Sequence, residues 1–161
     1  MNPKTLESKW QKKWAEGKAY ESEPGGAKEK YFVNCPYPYM NGYLHLGHAF
    51  TYLRADMVSR YQRMQDKNVL FPFAFHCTGT PIVAAAQRVE EGEETQIKAL
   101  KQMGLSDTLI KKFSNPEEWT KHFPDKAIQD LKKFGASIDW RRSFITTSLN
   151  PPYDAFIRWQ F

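Results

Sequence analysis

The stretch from Tyr31 to Met64 constrains this chain most. It opens with Tyr31-Phe32-Val33-Asn34-Cys35, five residues of strand-forming character that predict a short buried strand. Pro36, Pro38 and Asn41-Gly42 then break regular structure. Past Gly47, the residues Phe50, Leu53, Met57, Tyr61 and Met64 recur with the spacing of one helix face. The unit is therefore strand, turn, helix, with His45 and His48 where the helix begins. A helix start carries unpaired N–H groups and partial positive charge, so it attracts anions, phosphate above all. Two histidines there add directed hydrogen bonds. Gly47 between them leaves room for a flat ligand against the backbone.

The rest of the chain is organised around that unit. Asn2 and Pro3 predict a helix start, with Leu6, Trp10 and Trp14 as its packed stripe and Lys9, Lys12 and Lys13 on its polar side. Gly25-Gly26 marks a loop. After the long helix, Asp66-Lys67-Asn68 turns the chain into Val69–Phe75, a second apolar run. Pro72 within it predicts a bulge, an early end or an edge position. Thr80 as N-cap and Pro81 at the first helical position then start another helix, reaching about Glu91.

The order β-α-β-α implies parallel strands joined by a right-handed crossover. Their carboxyl ends then share one edge, where open α/β sheets bind ligands. The turns carrying His45/His48 and His76 are expected at one cleft. Beyond Glu93, three stripes predict short packed helices: Ile97, Leu100 and Met103 closed by Gly104, then Leu109, Ile110 and Phe113 capped by Ser106, then Ala127, Ile128, Leu131 and Phe134 closed by Gly135. Asn115-Pro116-Glu117-Glu118 has capping-box spacing. Asn150-Pro151-Pro152 opens a last run, in which Tyr153, Phe156, Ile157 and Gln160 have helical spacing and no C-cap follows.

Composition excludes several classes. At 161 residues with 41% hydrophobic and 15% aromatic content, the chain can bury a core and is not disordered. A net charge of +5, scattered along the sequence, permits an acidic partner such as RNA without specifying one. Cys35 and Cys77 form no CxxC pair, which excludes a zinc ribbon and fits a reduced cytosolic protein. The start is not a signal peptide, and no run approaches the roughly 18 apolar residues of a membrane span.

His45-Leu46-Gly47-His48, following a strand and a Pro/Gly turn, resembles the HIGH signature of class I aminoacyl-tRNA synthetases. The longer string Pro36–His48 is most similar to leucyl-tRNA synthetases of eukaryotic and archaeal type. Asp139–Thr147 and the run to Phe161 resemble the same family. The resemblance implies an α/β fold. Residues 31–91 form the first half of a Rossmann-like catalytic core with a parallel βαβ unit. Residues 1–30 supply an N-terminal helix and loop. Residues 92–161 form a helical connecting segment towards an editing domain that this chain lacks.

The resemblance also implies function. The chain is expected to be part of a cytoplasmic enzyme that activates leucine with ATP and magnesium and transfers it to tRNA(Leu). His45 and His48 are the expected catalytic residues. Tyr39, Asn41, Gly42, His45, Gly47 and His48 are expected at ATP, and Tyr37, Tyr39 and His76 at the amino acid. The bacterial branch has an aspartate at the position of His76, paired with the substrate ammonium. A neutral imidazole can accept a hydrogen bond from ammonium but supplies no counter-charge. The amine contact is therefore expected to be shared with Tyr39 or with groups outside this chain. No Lys-Met-Ser-Lys-Ser loop occurs here. The chain is accordingly expected to be a truncation or one half of a split protein, inactive without its C-terminal half.

Three alternatives stand beside this reading. His45, His48, His76, Cys35 and Cys77 are zinc-ligand types, as in a zinc-dependent hydrolase. The chain could be a binding module without activity. Within the synthetases, isoleucine, valine or methionine could replace leucine, since one methylene is worth only about 1–3 kcal/mol in a pocket.

Overall fold

A computed structural model describes residues 2–161; Met1, the first residue of the N-terminal segment, lies outside them. In chain order the elements are α1 (Pro3–Glu16), β1 (Lys30–Phe32), α2 (Leu46–Met64), β2 (Asn68–Leu70), β3 (Ala74–Phe75), α3 (Thr80–Glu90), α4 (Glu94–Gln102), α5 (Asp107–Lys112) and α6 (Pro116–Phe134). A 3-10 turn (Trp140–Arg142), β4 (Phe144–Ile145) and α7 (Pro151–Gln160) follow. The chain divides into two compact units. The first comprises residues 2–37, 45–74 and 128–143, the second residues 38–44, 75–127 and 144–161.

The first unit contains the expected parallel βαβ arrangement. β1 and β2 pair in parallel, Tyr31 opposite Val69, with α2 as the connection. The strand is shorter than its sequence suggests, and not buried: Lys30 and Phe32 are exposed, and burial begins at Val33. The ladder nevertheless runs one bond further, the Val33 N–H donating to the Leu70 carbonyl at 2.9 Å. The Val69–Phe75 run breaks as Pro72 dictates. β2 stops at Leu70, and β3 resumes at Ala74 after buried Phe71 and Phe73.

α2 does not bury its apolar stripe. The stripe lies outward, with Phe50 65%, Met57 62%, Tyr61 58% and Met64 81% exposed. The buried residues are Tyr52, Asp56 and Ser59. Polar groups can occupy that face because partners meet them. The Ser137 N–H donates to Asp56 Oδ1 at 2.6 Å, Arg60 Nε donates to Oδ2 at 2.7 Å, and the Ser59 hydroxyl donates to the Ala55 carbonyl at 2.9 Å. Arg60 also donates to the Gly135 carbonyl at 2.5 Å and to the Tyr20 hydroxyl at 3.1 Å.

α1 is capped as its first residues predict, Asn2 Oδ1 accepting the Lys4 N–H at 3.0 Å. Its stripe packs only in part: Leu6 and Trp10 are exposed at 40% and 44%. Trp14 packs tilted against Tyr20, with ring centroids 5.8 Å apart, under the Arg60 guanidinium. Asp139 anchors the loop after α1. It accepts the Ser22 N–H at 3.1 Å and Arg141 Nη2 at 2.8 Å.

The second unit is mostly helical. Phe113, Trp119 and Phe123 form its aromatic centre, with centroid separations of 4.9–5.5 Å, and Trp119 Nε1 donates to the Phe113 carbonyl at 2.7 Å. α4 ends at Gly104, and α6, whose last turns belong to the first unit, ends at Gly135, both with φ near +80°. In each case the following N–H reaches back to close the turn, Leu105 to Leu100 and Ala136 to Leu131. Only a residue free to adopt that left-handed conformation lets the helix stop this way. Two caps differ from expectation. Gly79, not Thr80, is the N-cap of α3, without a side-chain hydrogen bond. Asn115 accepts the Glu117 N–H at 3.0 Å, while Glu118 pairs with Lys121 instead of closing a capping box. Among the described residues no helix is long and apolar enough to cross a membrane.

Candidate active site

His45 is the N-cap of α2. Its Nδ1 accepts the Gly47 N–H at 3.1 Å, and His48 Nδ1 accepts the His45 N–H at 3.2 Å. Each side chain thus satisfies an orphan donor of the helix start. The chemical consequence follows from the imidazole inventory. A nitrogen that accepts a backbone N–H carries no proton, so the neutral ring carries it on Nε2. Both histidines therefore present an N–H donor on the side away from the backbone, at the positive end of a helix dipole. The rings lie 4.1 Å apart. Burial, and then the neighbouring His45, pushes the His48 pKa below the usual histidine value, which favours the neutral ring.

Gly47 has a role beyond an open backbone. A Cβ built there would meet His45 Cε1 at 2.9 Å and Nδ1 at 3.0 Å. The missing side chain makes room for the His45 ring in its capping position.

Behind His48 runs an aromatic chain. His48 stacks near Tyr52 at 6.0 Å, Tyr52 meets Phe73 edge-on at 4.9 Å, and Phe73 meets Tyr37 edge-on at 6.1 Å. Tyr37, expected at the amino acid, thus shares the first unit with the histidine pair. Tyr52 carried no sequence reading, although its position four residues after His48 places the two on one helix face.

The remaining candidates belong to the second unit. Tyr39 and His76 form a parallel bridge: the Met40 N–H donates to the His76 carbonyl at 3.1 Å, and the His76 N–H to the Pro38 carbonyl at 2.9 Å. Their rings are 4.1 Å apart. His76 Nδ1 lies 3.1 Å from the Thr146 hydroxyl and 3.3 Å from that of Thr78. Asn41 is exposed, and Gly42 is approached closely by Met103, whose Cε would lie 3.2 Å from a Cβ there. Tyr43 packs edge-on against Phe123 at 5.4 Å. Thr146 lies in the Asp139–Thr147 string that resembles the family, and Thr78 lies two residues after His76. Their partnership with His76 joins positions 70 and two residues apart, and only the near one had a local signal.

No group of three or more His, Cys, Asp or Glu among the described residues is placed to hold a metal ion. Burial raises the thiol of Cys35 to about 11 and that of Cys77 to about 12, so both stay protonated near neutrality.

The family model described as "tRNA synthetases class I (I, L, M and V)" matches residues 9–161. The chain belongs to the class I tRNA synthetases. A leucine–tRNA ligase of Aeropyrum pernix is 49% identical over 158 residues, covering 98% of this chain and 16% of the relative. The cytoplasmic leucine–tRNA ligase of Pongo abelii is 40% identical over 209 aligned positions, covering 98% of this chain and 18% of the relative. The fold matches the crystal structure of the ternary complex of Agrobacterium radiobacter K84 agnB2 LeuRS, tRNA and LeuAMS. The TM-score is 0.68 at 24% identity, with 91% of this chain and 16% of that one covered. This synthetase chain thus spans less than a fifth of the length of these relatives.

Proposed function

We propose that this chain is the ATP-gripping first half of the catalytic domain of a leucine–tRNA ligase. The reaction is the family's two steps. A leucine carboxylate oxygen attacks the α-phosphorus of ATP, forming leucyl-adenylate and releasing pyrophosphate. A hydroxyl of the terminal adenosine of tRNA(Leu) then attacks the activated carbonyl, and AMP leaves. The observation that carries the reading is the paired Nε2–H donors of His45 and His48 at the start of α2. Such fixed donors stabilise charge that develops on phosphate oxygens without reorganising. Tyr39, Asn41, Gly42 and Gly47 line the nucleotide in this reading, and Tyr37, Tyr39 and His76 contact the amino acid. Magnesium would neutralise the phosphates of ATP.

Leucine, rather than isoleucine, valine or methionine, is favoured by the relatives' names, and a cytoplasmic location by that of the Pongo abelii enzyme. The test is ATP–pyrophosphate exchange across these four amino acids with the full-length protein. Exchange should depend on leucine. His45→Asn and His48→Asn should each slow it by about 10²–10³. Near-wild-type rates in both variants would refute the assignment.

A further inference from the structure

Thr146 Oγ1 sits 3.1 Å from the Cys77 amide nitrogen and 3.1 Å from His76 Nδ1. The amide can only donate, so the hydroxyl oxygen accepts there, and its single hydrogen must go elsewhere. Thr146 is buried, at 8% exposure, so solvent offers that hydrogen little. Among the described residues the hydroxyl has no partner besides these two. Leaving a buried donor unmade is costly, so the hydrogen goes to His76 Nδ1. Nδ1 is then the acceptor, and the ring proton resides on Nε2. Thr78, half-buried, stands by the same nitrogen at 3.3 Å and can turn its own hydrogen to solvent. The His76 backbone is clamped on both sides by the bridge to Pro38 and Met40, and Tyr39 covers one ring face. Nε2 makes no hydrogen bond among the described residues.

We infer that Thr146 is a positioning residue that locks His76 in the Nε2–H tautomer, so that His76 offers the substrate a hydrogen-bond donor. Such a donor suits a carboxylate or carbonyl oxygen of an amino acid. It cannot accept from an ammonium group, so the amine contact falls to other groups. The oxygen-binding role deepens the proposed leucine-activating function and rests on it; the tautomer itself does not.

Nitrogen-15 NMR of the histidine-labelled chain tests the tautomer directly, with His76→Asn to assign the resonances. Wild type and Thr146→Ser should show a protonated Nε2 and an unprotonated Nδ1 for His76. Thr146→Val should admit the other tautomer. A protonated Nδ1 in the wild type would overturn the inference. In the full-length protein, leucine-dependent pyrophosphate exchange reads the consequence. Thr146→Val should raise the leucine KM about tenfold with the ATP KM unchanged, and Thr146→Ser should restore it. His76→Gln, which keeps a donor, should outperform His76→Glu, which is acceptor-only. The reverse ranking, or equal leucine KM values for the Val and Ser variants, would overturn the donor role. If the wild-type enzyme activates a different amino acid, the functional reading fails while the NMR result still decides the tautomer.

Discussion

Replacing Asp56 by alanine tests the polar face on which α2 is buried. The carboxylate accepts the Ser137 N–H at 2.6 Å, and Ser137 is 0% exposed. Without Asp56 that amide has no partner and no water, a loss of about 1–3 kcal/mol. The ion pair to Arg60 adds less. The Arg60 side chain is 35% exposed and keeps its bonds to the Gly135 carbonyl and Tyr20 hydroxyl, so screening limits the loss to about 0.5–1 kcal/mol. The total is about 3 kcal/mol, or roughly 6–12 °C in Tm for a chain of this size. Asp56→Asn separates the two parts, since its amide oxygen still accepts from Ser137 while the charge is gone. It should cost about 1 kcal/mol. Urea unfolding followed by far-UV circular dichroism measures both variants. If Asn is as costly as Ala, the backbone acceptor is not the dominant part. If Ala costs under about 0.5 kcal/mol, the buried polar face does not hold α2 at all.

Further outcomes follow from the same geometry. Gly47→Ala should drive the His45 ring from its cap and slow pyrophosphate exchange of the full-length protein at least tenfold; unchanged exchange would show that the ring has another way to sit. Burial pushes the Asp139 carboxyl up, but the Arg141 guanidinium and the Ser22 N–H outweigh it and hold it below the usual carboxylate range. Its stabilisation is therefore complete above the unfolded-state value and lost as pH falls through the lower folded one. Acid unfolding of Asp139→Asn should accordingly lack part of the wild type's pH dependence below the ordinary aspartate value. The isolated chain should form no leucyl-adenylate, and a robust exchange rate from it would contradict the proposal that these residues are only the first half of a catalytic domain.

The local grammar of this chain was legible from its residues. Asn2 and Ser106 cap helices, and Gly104 and Gly135 end them, because each acts on backbone groups within a few positions. Pro72 split the second apolar run for the same reason. The strand, turn and helix around His45-Leu46-Gly47-His48 were readable too, and with them the family. The sequence could not say which face of α2 is buried. A stripe such as Phe50, Met57 and Met64 records periodicity, but burial depends on which neighbour arrives, and the neighbour that arrived brought an amide, Ser137 N–H, from far along the chain to a carboxylate. The same holds for His76, whose proton was placed by Thr146, 70 residues away. Helix starts and stops are decided by hydrogen bonds that the chain makes with itself at short range, and a sequence contains these. A tautomer or a buried carboxylate is decided by a single donor from a distant segment, and only tertiary packing brings it there.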